Sequence, residues 1–151
     1  MPPEIPDPTR PQEWLRRARS NLHRAKILGN DPEIAHEDLC FDAQQAAEKS
    51  LKGLLVHLAI PFPKTHSIAD LITLVVQAGT AVPAGVLEAG LLTQYAVDTR
   101  YPGLGERITK ERYLKAVQLS EQVVAWVEQL VRSGGPERDP SESGNQNQNA
   151  L

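Results

Sequence analysis

Leu39-Cys40-Phe41-Asp42-Ala43-Gln44-Gln45-Ala46-Ala47-Glu48-Lys49-Ser50-Leu51-Lys52-Gly53-Leu54-Leu55 is the stretch whose reading decides the fold. It holds no proline. Leu39, Ala43, Ala46, Ala47, Ser50, Leu54 and, beyond it, Leu58 recur at the spacing of one helix face, and most are small enough to let a neighbour approach closely. Asp31 as N-cap and Pro32 at the first position set the expected start. Ile60-Pro61-Phe62-Pro63 must break the helix. The rod would then span residues 31–59, about 40 Å long.

Its polar residues admit two readings. Glu48 and Lys52 are four apart, as are Gln45 and Lys49, while Gln44 and Gln45 diverge by about 100°. Composition favours a solvated face with an ion pair along the helix. The alternative is a set of polar groups held against another helix or a second subunit.

Outward from this rod the pattern stays helical. Thr9 and Gln12 have capping-box spacing, with Pro11 in the first turn, and Trp14, Ala18, Leu22 and Ala25 make one stripe of a helix ending at Leu28. Ser67 and Asp70 resemble another box, opening a short helix to about Ala78 that Gly79 ends. A fourth helix, roughly Pro83 to Val97, carries Val86, Leu87, Leu91 and Tyr95. Thr109 caps a last helix to Arg132, whose stripe from Tyr113 to Val131 is the clearest periodicity in the chain. Connections are short, and no segment alternates as a strand would. The expected fold is all-α, an up-and-down bundle of four to five helices. Residues 1–11, with five of the twelve prolines, read as an extended lead-in, 12–133 as the bundle, and 134–151 as a disordered polar tail.

Composition narrows the function. The 151 residues are 40% hydrophobic and 23% charged, an ordinary balance for one domain. The single Cys40 excludes an internal disulfide and a cysteine-rich zinc site, and the four histidines show no metal-binding spacing. No apolar run reaches the roughly 20 residues of a membrane span, and the N-terminus lacks a signal-peptide pattern, so a cytoplasmic protein is expected. The net charge of −3 argues against wholesale electrostatic binding to nucleic acid. Charge is uneven: residues 10–28 hold six Lys or Arg against Glu13, and residues 31–48 hold six acids and no base. Antiparallel packing of the first two helices would neutralise the two stretches; an RNA-facing strip or an acidic partner surface is the other reading.

The string Ala43-Gln44-Gln45-Ala46-Ala47-Glu48-Lys49-Ser50-Leu51-Lys52-Gly53-Leu54-Leu55 closely resembles the signature helix of the HEPN domain family. Trp14-Leu15 with Ala18 and Ala25, then Ile60 to Ile68, then Tyr95 with Thr99-Arg100-Tyr101-Pro102 are similar to three more family segments in the same order. The resemblance spans residues 12–132. It implies a helical bundle, commonly a homodimer, and a role as ribonuclease toxin, as nucleotide-binding module, or as helical partner of a minimal nucleotidyltransferase. Ribonuclease members place a histidine four to six residues after an arginine. Here none follows Arg100, since His66 is the last in the chain. Arg16 or Arg17 with His23 has the spacing but lies in the first helix, away from the family position.

The resemblance therefore implies a binding module more than an enzyme: the helical half of a toxin–antitoxin-like pair with a separately encoded minimal nucleotidyltransferase, self-associating through small-residue helix faces. A metal-independent ribonuclease toxin is the alternative. The nucleotide- or RNA-binding candidates are Arg100, Tyr101, His66, Lys49, Lys52 and Tyr95. Arg100 would hold a phosphate, or else a neighbouring carboxylate or helix-end carbonyl. Tyr95 and Tyr101 would stack on bases, and Lys49 and Lys52 add positive charge. His66, just before a helix start, would lie beside a phosphate, or else help to satisfy free helix N–H groups. No cofactor or metal is implied.

Overall fold

The computed structural model describes residues 6–93 and 107–134, and every regular element among them is helical. These elements are α1 (Pro11–Ile27), α2 (His36–His57), α3 (Ile68–Gln77), α4 (Ala84–Glu88) running into a 3-10 turn (Ala89–Leu91), and α5 (Lys110–Arg132). The Arg100–Gly105 loop and the tail from residue 135 lie outside the described residues.

The rod α2 is the centre. Leu39, Ala43, Ala46, Ala47, Ser50 and Leu54 are all buried, and the stripe packs on α1 and α5. Asp42 of α2 bonds Asn21 and Arg24 of α1, while Gly53 lies against Trp14, so α1 and α2 are antiparallel. Glu37 accepts from the Ile108 N–H and Ala43 from Ser120, which makes α5 parallel to α2. Arg19–Glu128 and Lys26–Glu121 then tie α5 antiparallel to α1. Gly53 is glycine because of closeness: a Cβ there would stand 2.9 Å from that of Trp14.

The small-residue face is thus spent inside the bundle. The expectation that it would join two copies is corrected: alanine lets α1 and α5 close on α2, and the face is buried from Leu39 to Leu54. Tyr113 reinforces the packing by donating its hydroxyl to the Ala25 carbonyl and stacking on His36 at 4.9 Å.

Several helix ends differ from expectation. Asp31 does not start α2; its Oδ1 accepts from the Glu33 N–H and its carbonyl from Ile34, so 31–34 forms a turn and α2 begins at His36 after Ala35. Thr9 does not cap α1, whose N-cap is Arg10; its hydroxyl instead donates to Asp7 Oδ1 at 2.6 Å. The fourth helix tightens into a 3-10 turn at Ala89 before its helical run resumes at Leu92 and Thr93, its expected end at Val97 lies outside the described residues, and Leu87 and Leu91 are half exposed rather than core. Ser67 and Thr109 do cap, each accepting from the N–H three residues on at 3.2 Å. At the end of α2 the N–H of Ala59 bonds Val56 and that of Ile60 bonds Leu55, and α3 repeats the pattern with Gly79 and Thr80. No helix among the described residues is long and apolar enough to cross a membrane.

Candidate functional site

The central polar residues of α2 do not all form a solvated face. Asp42, Gln44, Glu48 and Lys52 are buried, which corrects the solvated face and favours polar groups held against a neighbour, with α1 and the α2–α3 connection as the packing partners, while the expected Glu48–Lys52 ion pair along the helix is present. They divide into two hydrogen-bonded networks along the rod.

The first centres on Glu48, only 3% exposed. Its Oε1 lies 2.9 Å from Nδ1 of His66, and its Oε2 lies 3.7 Å from Nζ of Lys52. One turn earlier, Gln44 donates its amide to the His66 carbonyl at 3.3 Å and accepts from Gln45 at 2.9 Å. The ammonium of Lys52 also stands 5.9 Å from the centre of the Phe62 ring. His66 is therefore held by backbone and ring while its side chain remains 82% exposed. The contact with Glu48 engages Nδ1 and so fixes the ring through one of its two nitrogens.

The start of α3, next to His66, is already occupied. Thr93 Oγ1 accepts from the Ile68 N–H at 3.0 Å, Ser67 Oγ takes that of Asp70, and Thr65 Oγ1 takes that of Ser67. A phosphate at this helix end would have to compete with these hydroxyls.

The second network runs from α1. Arg24 forks onto Asp42, with Nε 2.9 Å from Oδ2, and this bond raises the guanidinium above its usual value. Asp42 Oδ1 accepts from Asn21 at 3.0 Å, and Asn21 Oδ1 accepts from Lys49 Nζ at 2.7 Å. Burial and then the like charge of Arg17 hold Lys49 below its usual value, against the opposing pull of Glu48. Arg24–Asp42 is the neutralisation expected between the first two helices; Arg19 and Lys26 turn instead to Glu128 and Glu121 of α5.

The structure thus brings His66 and Lys52 together on Glu48, while Lys49 bonds Asn21. Arg100, Tyr101 and Tyr95 lie outside the described residues. Asn21, Asp42 and the hub role of Glu48 went unread in the sequence, though a signal existed. Asn21 sits three after Ala18 and four before Ala25, and Asp42 three after Leu39, so both fall on inward stripes where a polar residue needs a partner. Among the described residues no three His, Cys, Asp or Glu side chains converge to hold a metal ion.

A family model described as HEPN domain matches residues 11–130. The chain is similar to the crystal structure of an archaeal HEPN homologue, with a TM-score of 0.64 and 26% identity over 80% of this chain and 96% of that one. No curated protein matches it.

Proposed function

The chain belongs to the HEPN domain family, and from that premise we propose that it works by association, as the helical component of a toxin–antitoxin-like pair with a separately encoded minimal nucleotidyltransferase. One contrast carries this reading. The polar groups of α2 that chemistry would call on are engaged within the chain, while Ile27, Val76, Leu87, Leu91 and Leu114 stand about half exposed or more. Polar groups held at home and apolar groups left outside suit a binding module better than a self-contained active centre. The homodimer belongs to the same proposal, with these apolar side chains replacing the small-residue face. Nucleotide or RNA would be met by Arg100, Tyr101 and Tyr95, with His66, Lys49 and Lys52.

The test is co-purification of the tagged chain with a nucleotidyltransferase encoded beside it, together with light scattering after size exclusion. A stable complex and a dimer of the free chain are expected. A monomer at micromolar concentration that captures no such partner would overturn the reading.

The Glu48–His66 contact favours a second reading, the metal-independent ribonuclease. Nε2 of His66 would take the proton of an RNA 2′-hydroxyl as its oxygen bonds to phosphorus and the P–O5′ bond breaks. RNA cleavage in EDTA that is lost in His66→Gln and in Arg100→Ala would favour it; cleavage unchanged by either substitution would remove it.

A further inference from the structure

We propose that residues 6–9 form a strap whose docking on Trp14 holds the His66 imidazole in place, through Phe62 and Lys52. This depends on neither reading of the preceding section, because it concerns where the ring is held rather than what the ring does.

The strap is a small built element. Asp7 Oδ1 accepts from the N–H of Thr9 at 2.9 Å and from its hydroxyl at 2.6 Å, and the Asp7 carbonyl accepts from the Arg10 N–H at 3.2 Å, which folds the segment into a turn. Trp14 Nε1 donates to the Pro8 carbonyl at 2.9 Å and fastens that turn to α1. Residues 6–9 are all exposed, so they are held by this bond more than by burial. Trp14 itself is seated on α2, where Gly53 leaves room for it, and its ring meets Phe62 edge-on at 6.2 Å. The indole thus stands between the strap and the α2–α3 connection that carries His66.

Beyond Phe62 the contacts converge on one ammonium. Lys52 Nζ lies 5.9 Å from the centre of the Phe62 ring and 3.7 Å from Oε2 of Glu48. The first is the outer reach of a cation–π contact and the second is too long for a hydrogen bond, so the ammonium is shared between two attractors and fully seated on neither. Glu48 is buried and needs partners for its charge, and its other oxygen lies 2.9 Å from Nδ1 of His66. The His66 ring is otherwise 82% exposed, and Glu48 is its hold. With the strap docked, Trp14 keeps Phe62 beside Lys52 and the carboxylate leans on His66. With the strap off, Phe62 is freed, Lys52 closes on Glu48, and the imidazole is let go. The position of Lys52 is the two-state element that such a coupling requires. A partner that drew residues 6–9 away from Trp14 would in this way loosen His66.

Two variants of the full chain release the strap from different points. Asp7→Ala undoes the turn without touching Trp14 or Phe62, and Trp14→Phe removes the N–H donor but keeps an aromatic ring beside Phe62. The readout is the nitrogen–proton NMR correlation of the His66 ring at one pH, assigned by its loss in His66→Gln, with a blocked histidine amide marking the free ring. Both variants are expected to move the signal toward the free position. The ratio of held to free ring should fall roughly twofold to tenfold, the range that an aromatic edge contact can supply. In a Lys52→Met background neither substitution should move the signal further, since the shared ammonium is gone. An unmoved His66 signal in Asp7→Ala would overturn the proposal. So would an equal shift with and without Lys52, which would show that the strap does not act through the ammonium.

Discussion

Nδ1 of His66 lies 2.9 Å from Oε1 of Glu48, a contact between a ring whose side chain is 82% exposed and a carboxylate that is 4% exposed. The two partners should respond unequally to removal. Glu48→Ala strands the Lys52 ammonium, itself 11% exposed, and is expected to cost about 3 kcal/mol. His66→Ala gives up only a contact at the surface and should cost less than about 1 kcal/mol. Urea denaturation of both variants checks this; equal losses would mean that Lys52 does not depend on Glu48.

Two buried serines offer a matched pair. Ser120 donates its hydroxyl to the Ala43 carbonyl at 2.7 Å, whereas Ser50 Oγ is buried with no partner among the described residues. Ser120→Ala is expected to lose about 1 kcal/mol, the net worth of a buried hydrogen bond. Ser50→Ala removes a desolvated hydroxyl that gains nothing, so stability should hold or rise by about 1 kcal/mol. Opposite shifts in urea midpoint, at unchanged slope, are the expected outcome.

The ends of α2 and α3 share a hydrogen-bond pattern but not a residue. Ala59 closes α2 at φ 57°, and Gly79 closes α3 at φ 87°. The left-handed region crowds a Cβ, and nothing lies within 4 Å of the position where Gly79 would carry one. Ala59→Gly is therefore expected to stabilise by about 0.5 kcal/mol, after the greater unfolded-state entropy of glycine, and Gly79→Ala to destabilise by about 1 kcal/mol. Thermal melts of the two variants should move in opposite directions.

The long stripes were legible because burial follows them residue by residue. Leu39 to Leu54 on α2 and Tyr113 to Val127 on α5 face the core as their spacing predicts, and Ser67 and Thr109 cap where they stand. What the sequence hid was set by competition or distance. Asp31 could cap a helix or close a turn, and its bonds to Glu33 and Ile34 favour the turn. Ala89 carries no breaker, so the tightening of α4 there follows from packing: Gly90 rests on Ala69 of α3, and Glu88 reaches Lys115 of α5. At the site, Glu48 and Lys52 read as a surface pair because their partners come from outside the helix. His66 is 18 residues away, and only the folded connection brings it to Glu48 and Phe62 to Lys52. Asn21 and Asp42 likewise make sense only once α1 lies against α2.

Cys40 is wholly buried on α2, and desolvation, with Glu37 adding its negative charge against the weaker pull of Arg112, pushes the thiol up from 9.0 to about 12. Tyr113, nearby on α5, is raised as well, first by burial and then by Cys40. Both groups are neutral when protonated, so the fold favours their protonated forms. Below pH 9 folded and unfolded chains hold the thiol proton equally, and its contribution to stability is complete. Between pH 9 and about 12 the unfolded chain releases a proton that the folded chain keeps, so stability falls as pH rises through that window. Denaturation midpoints at stepped alkaline pH should decline over this range, and Cys40→Ala should flatten the decline. The same burial makes the native thiol inert. A disulfide reagent at pH 8 is expected to label Cys40 no faster than the chain unfolds, so labelling faster than the unfolding rate measured in parallel would show that the thiol is reached without opening α2 and α5.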